Sequence, residues 1–382
     1  MTDSAQEEKA DRLHRESFVF DFAPYGEPVP LTERTHAAMR EALTVGSLPE
    51  ALRRLWDEHL HELEEDDAER DRVAAEWRDS GVNGVQVTLG GTEMDTHGWD
   101  ATLRDAALWH RRTSIGEQMA ICRTAEELRR AHGEQRVGVV LGLQDTLQIG
   151  SDLARVETLY GLGVRVVQLT YNRRNLVGDG CTERHQSGLS RLGLDLVREL
   201  NRLGIVVDVS HSGVGTTNEA VEASTAPAAF THTACRAIYD HPRAKSDEQL
   251  ALLAEHDGYV GIVAVPFFLG ASGAGPTDVA DHVAHAAGIV GIERVGIATD
   301  WGFWSLDFPV ELRELAMRAF QGTSGFRPDD LQLGVSLDGF ERWQDWPVIT
   351  RALLAKGFSE EEVRGVLGGN WLRYLERVEE SR

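Results

Sequence analysis

With 382 residues, 42% of them hydrophobic and 26% charged, the chain has apolar material for a large core and no disordered or fibrous bias. Acidic residues outnumber Lys and Arg by 62 to 39, and the formal charge of −23 repels a phosphate backbone and an anionic membrane surface, so neither nucleic acid nor membrane is expected as a partner. Cys122, Cys181 and Cys235 are too few and too scattered for a disulfide framework, Met1 to Glu16 is polar and acidic, and no run of about 18 uncharged apolar residues occurs, which together predict a soluble cytoplasmic protein.

Eight short β-rich runs recur along the chain: Phe18–Asp21, Gly84–Leu89, Val137–Leu143, Val164–Leu169, Ile205–Val209, Ala228–Thr231, Tyr259–Val265 and Val295–Ala298. Runs such as VGVVLGL are apolar throughout, as strands buried on both faces of a parallel sheet must be. Helical stretches intervene, with Leu153–Leu162, Gly193–Leu203 and Asp247–His256 preceding the fourth, fifth and seventh runs. Alternating β and α with eight strands predicts one (β/α)₈ TIM barrel spanning residues 1–382. A doubly wound sheet would need a GxGxxG turn that the sequence lacks. The long segment from Tyr25 to Val82 reads as an insertion over the barrel mouth at about 25–81, and the Trp-, Phe- and Gly-rich stretch Trp301–Trp346 as a smaller one. Glu360 to Glu380 reads as a terminal helical region.

In such a barrel the chemistry belongs at the C-terminal ends of the strands. The fifth run ends in Asp208-Val209-Ser210-His211 and the sixth in Phe230-Thr231-His232-Thr233. Either histidine alone reads as a hydrogen-bonded structural residue, but a matched pair on neighbouring strands can share one zinc ion. The eighth run ends at Asp300, which can bind the metal, accept a proton from water, or cap the following helix. Gln144 follows the third run, and Tyr171 and Asn172 follow the fourth. The glycine-rich segment beyond them sets Cys181 two residues from Glu183, a thiol and a carboxylate that could complete a metal site.

These residues together resemble the membrane dipeptidase family, the zinc peptidases also called renal dipeptidase or peptidase family M19. LVRELNRLGIVVDVSHSG is similar to the family segment carrying one histidine ligand, and AAFTHTACRAIYDHPRAKSDEQL to the segment with the second, followed by the arginine that holds the substrate carboxylate. GVLGGNWLRYLERV, with Gly369, Asn370 and Arg373, is similar to the family's C-terminal segment. The resemblance implies His211 and His232 as metal ligands, Arg243 as a bidentate carboxylate clamp, Asp300 as the strand-eight acid, and a homodimer.

The departures alter the expected metal site. The family's first strand carries DGHND, whose His and second Asp bind the other metal; here the matching residues read Asp21-Phe22-Ala23-Pro24-Tyr25. Gln144 stands where the family has the bridging Glu, and Tyr171 where it has a substrate-contacting His. One ion, zinc or another divalent metal, is therefore expected, with further ligands drawn from Asp300, Asp21, Gln144, Cys181, Glu183 or water. The leading expectation is a hydrolase of a dipeptide or similarly small amide, with Asp300 as base, Tyr171 at the reaction centre, and Arg243 and Asn172 on the substrate. The alternatives are a same-fold metalloenzyme with a different reaction, for which the Trp301-Gly302-Phe303-Trp304 aromatics suit an aromatic or cationic substrate, and a non-catalytic ligand-binding barrel.

Overall fold

The computed structural model describes residues 3–22, 32–45, 48–90, 98–270, 273–300, 314, 318, 325–326 and 337–382. Eight parallel strands run side by side, each paired with its neighbours in chain order: β1 (Phe20–Phe22), β2 (Gly84–Thr88), β3 (Val137–Leu143), β4 (Val164–Gln168), β5 (Val206–Asp208), β6 (Ala229–Cys235), β7 (Tyr259–Val263) and β8 (Val295–Ala298). Their burial is nearly unbroken, because the inner face fills the barrel and the outer face meets the surrounding helices. The ring closes between β8 and β1, where the Asp300 amide donates to the Phe22 carbonyl at 3.2 Å. This is the (β/α)₈ TIM barrel that the alternation of strands and helices predicts.

The C-terminal helix, Asn370–Glu380, plugs the end of the barrel remote from the site. Its Trp371 packs edge-on against Phe22 at 4.6 Å and lies 5.4 Å from Phe20, while Asn370 Nδ2 donates to the Val295 carbonyl at the start of β8. Tyr374 Oη donates to the Pro227 carbonyl just ahead of β6. Helices Ala154–Leu162, Arg191–Leu203 and Asp247–Glu255 occupy the expected positions; the second and third begin at serine caps, Ser190 and Ser246, that satisfy free amides of the first turn.

Three differences from the sequence reading concern the strands. The sixth strand continues four residues past Thr231, because Ala234 and Cys235 pair with a short added strand, Ala244–Lys245. His232 therefore lies inside β6, whereas His211 sits three residues beyond the end of β5; the parallel register pairs Asp208 with Ala229, so each histidine stands three residues past that pair, at equivalent positions on neighbouring strands. A second short strand, Met119–Ile121, pairs with β3. The first strand is displaced to Phe20–Phe22, which puts Asp21 at its centre.

Between β1 and β2 the described residues form helices Glu33–Val45, Leu48–Glu65 and Asp67–Ser80. Trp77 of the last meets Trp343 edge-on at 5.5 Å, and Trp56 lies 5.9 Å from Trp109 on helix Gly98–Ser114. Ala23, Pro24, Tyr25 and the Trp301-Gly302-Phe303-Trp304 aromatics lie outside the described residues, as does most of 301–336.

Candidate active site

The two histidines face each other. His211 and His232 are buried, at 4% and 1% exposure, and their Nε2 atoms stand 2.8 Å apart. The far nitrogen of each ring is fixed by a hydrogen bond. Nδ1 of His211 lies 2.7 Å from Oδ1 of Asn172, an amide oxygen that can only accept, so Nδ1 carries the proton. Nδ1 of His232 lies 2.9 Å from the Thr231 hydroxyl, which directs its own proton to Asp208 Oδ2 at 2.6 Å and so accepts from the imidazole. On this tautomer assignment both Nε2 atoms present bare lone pairs to one another. That arrangement repels unless a cation adjoins both.

Protonation is a poor source of that cation. Burial pushes both imidazoles well below the usual histidine range, and the Arg243 guanidinium adds to the effect. Two neutral, buried, tautomer-fixed imidazoles with convergent Nε2 atoms are the donor set of a divalent transition metal, and the residues present fit such an ion.

The surroundings hold the pair rigidly. Asp208 accepts from Ser210 N at 2.9 Å, Ser210 Oγ at 2.5 Å and Thr231 Oγ1, and burial pushes its carboxyl upward. Lys245 is buried beneath the His211 loop, with Nζ donating to the Val209 and Ser212 carbonyls at 2.8 Å each and to Thr217 Oγ1 at 3.0 Å; burial, then Arg243, pushes it down to about 7. The Tyr171 ring stacks on His211 with centroids 4.3 Å apart. Gly180 brings its loop hard against Asn172: a Cβ there would lie 2.2 Å from the Asn172 carbonyl carbon, so no larger residue allows the approach. Cys181, next along, donates its backbone N–H to the His211 carbonyl at 2.8 Å and places Sγ 3.6 Å from Asn172 Oδ1.

Arg243 is 1% exposed and bridges the two histidine strands. Nη1 donates to the Ser210 carbonyl at 2.5 Å and Nη2 to the His232 carbonyl at 2.9 Å, while Nε is buried without a hydrogen-bond partner among the described residues. Asn172 Nδ2 is buried and unpartnered in the same sense. Asp300 leaves β8 with φ at 48°, in the left-handed region, and burial pushes its carboxyl up to about 6 against the opposing pull of Arg243.

Two of the remaining candidates are engaged elsewhere. Asp21 uses both carboxylate oxygens on Thr299, and Glu183 Oε1 accepts the Arg174 amide at 2.9 Å. Gln144 is buried, and it is its backbone carbonyl that accepts from Gln168 Nε2 at 2.6 Å, a contact that does not occupy its side-chain amide. Among the described residues, no third His, Cys, Asp or Glu brings a ligand atom within 4.8 Å of both Nε2 atoms. Sequence reasoning gave no role to Lys245, Thr231 or Asp208. Asp208 carried a signal, a buried acid three residues before His211; Lys245 and Thr231 did not, since their contacts are made across strands.

A family described as "Membrane dipeptidase (Peptidase family M19)" matches residues 32–314. Dipeptidase verJ of Clonostachys rogersoniana is 29% identical over 266 residues, covering 69% of this chain and 61% of that protein. Dipeptidase 3 of Rattus norvegicus is 28% identical over 365 residues, covering 92% and 68% respectively, so the chain spans roughly two thirds of these relatives' length. Among solved structures, an amidohydrolase from Pseudomonas aeruginosa is 27% identical with a TM-score of 0.75, covering 97% of this chain and 98% of that one. No helix among the described residues is long and apolar enough to cross a membrane.

Proposed function

The chain belongs to the membrane dipeptidase family, peptidase family M19, and from that premise we propose that it is a metal-dependent hydrolase of a dipeptide or similarly small amide, working through one ion. The observation that carries the reading is the 2.8 Å approach of the two Nε2 atoms, whose facing lone pairs call for a shared cation. His211 and His232 are assigned as ligands of a single divalent ion, zinc by resemblance to the family. We assign no third protein ligand. The neutral Gln144 amide at the family's bridging position favours one ion over two.

A divalent ion held there supplies Lewis acidity, polarising a carbonyl oxygen and lowering the pKa of water. Asp300, with a carboxyl pushed up to about 6, is ionised at neutral pH yet basic enough to take a proton from attacking water and return it to the leaving amine. Arg243 Nε and Asn172 Nδ2 are buried donors flanking the histidines, and a donor so placed costs stability until an acceptor arrives. We assign them to the substrate's carboxylate end. Tyr171, flat against His211, forms a wall of the site.

The single-domain organisation with insertions at about 25–81 and 301–346 belongs to the same proposal, as does a homodimer on family resemblance. A reducing, cytoplasmic setting is part of the proposal, and the lack of a disulfide among Cys122, Cys181 and Cys235 supports it.

The test is dipeptide hydrolysis by the full chain before and after chelation, beside a His211→Ala, His232→Ala double variant, with metal content measured on each. Expected are hydrolysis abolished by chelator and restored by zinc, and one equivalent lost in the variant. A second reading, a ligand-binding barrel, is favoured by the two-imidazole donor set alone. Metal content unchanged by the double substitution, with dipeptide bound but never cleaved, would replace the first reading with the second.

A further inference from the structure

Three potential ligands outside the His211–His232 site converge at the corner between helices Leu48–Glu65 and Asp67–Ser80. His59 and Glu62 are three residues apart and share a helix face. Asp66 caps the next helix, its Oδ1 accepting the Ala68 amide at 2.8 Å, and the turn swings Glu69 back towards them. One ligand atom from each of the three lies within 4.8 Å of the other two.

A second observation points to a cation. Glu62 is only 7% exposed, and its Oε1 accepts from Thr32 Oγ1 at 2.7 Å. Its other oxygen, Oε2, is buried with no hydrogen-bond partner among the described residues. A buried carboxylate left half-satisfied is costly unless positive charge adjoins it. Glu69 is held by Arg72, whose Nε donates to Oε2 at 2.9 Å and whose Nη2 donates to Oε1, and the Trp56 ring stands edge-on to His59 at 5.7 Å. These contacts fix ligand orientation as outer-sphere groups do in metal sites.

We propose that His59, Glu62 and Glu69 bind one divalent transition-metal ion of the zinc class. One imidazole with two carboxylates suits zinc and its first-row neighbours better than calcium or magnesium, which favour all-oxygen sites. Ligand atoms around a tetrahedral ion stand about 3.4 Å apart, so binding requires the Glu62 and Glu69 carboxylates to turn towards His59, Glu69 giving up part of its pairing with Arg72. Glu69 is partly exposed and gives the ion its path from solvent. The bound ion fastens the two helices at their corner and, through Thr32, the chain that enters the segment.

The test uses the full chain with zinc alone as probe. Zinc equivalents by elemental analysis, and the zinc-induced rise in Tm, are compared between the native protein and the variants Glu69→Gln and His59→Gln. The expected result is one equivalent fewer in each variant, at least a 100-fold weaker zinc association at this site, and a Tm that responds less to zinc, with dipeptide hydrolysis retained. Glu69 is the more exposed position, so Glu69→Gln decides the matter if His59→Gln does not fold. Unchanged equivalents and an unchanged zinc response in folded Glu69→Gln overturn the proposal, and do so whatever the His211 and His232 variants show.

Discussion

Asp21 holds Thr299 at two points: its carboxylate accepts the Thr299 backbone N–H at 2.6 Å and the hydroxyl at 2.5 Å. These bonds join the first barrel strand to the end of the last, across a seam with no strand-ladder pairing among the described residues. Asp21→Ala removes both and leaves a buried amide unsatisfied, at a cost of about 2–4 kcal/mol. Urea unfolding should show that loss with metal content unchanged. Loss of metal from a variant of native stability would make Asp21 a ligand instead.

Asn172 fixes the His211 tautomer through Oδ1, and the adjoining Gly180 loop packs on its carbonyl. Asn172→Ala frees the imidazole to rotate and to place its proton on Nε2. Metal association at the mouth should weaken by about 10- to 100-fold, the usual cost of losing such support. Competition with a chromophoric chelator measures it; unaltered affinity would show that Asn172 does not position His211.

Arg243 ties the Ser210 and His232 carbonyls together with a planar fork that lysine cannot reproduce. Arg243→Lys should lower stability by about 2–3 kcal/mol and raise KM for a dipeptide, since both the bridge and the Nε donor are lost. Denaturant titration and steady-state kinetics separate the two effects. A raised KM at native stability would confine Arg243 to the substrate.

His14 joins three helices: its ring nitrogens meet the Ser80 carbonyl and the Thr350 hydroxyl at 2.8 Å each, linking Asp3–Glu16, Asp67–Ser80 and Pro347–Lys356. Burial pushes its pKa from 6.5 down to about 4. As pH falls, the unfolded chain takes up this proton first, so the contribution is complete above pH 6.5 and is lost between 6.5 and about 4. The loss is about 3 kcal/mol for a shift of this size. Stability measured at pH 7 and pH 4.5 should fall less in His14→Gln than in the native chain; equal falls would remove His14 as a cause.

On the family resemblance, Gln144→Glu places a carboxylate at the position expected to bridge two metals. Ala23 and Tyr25 still stand at the positions of the other two first-metal ligands. The substitution should therefore add no second equivalent at the mouth, which elemental analysis would check directly.

Much of the architecture was legible from local pattern. Apolar runs such as Val137–Leu143 were recognisable because strands buried on both faces admit little else, and the order of strands and helices limited the topology. Strand ends were less certain: β6 passes through His232 because a short strand some ten residues later pairs with it, a non-local cause with no signature at His232 itself.

The sequence by itself determined the barrel, the strand ends that line its mouth and the presence of His211, His232, Arg243 and Asp300 there, and, by resemblance to the family, it leads to the expectation of a single ion. Only the tertiary structure decided that the two Nε2 lone pairs face each other, that Asp21 seals the seam, that Lys245 supports the His211 loop, and that Glu69 meets His59 and Glu62. Burial and backbone period are properties of neighbours in the chain and leave a repeating trace in it. Which lone pair meets which proton depends on contacts between residues tens to hundreds of positions apart, fixed only when the elements pack.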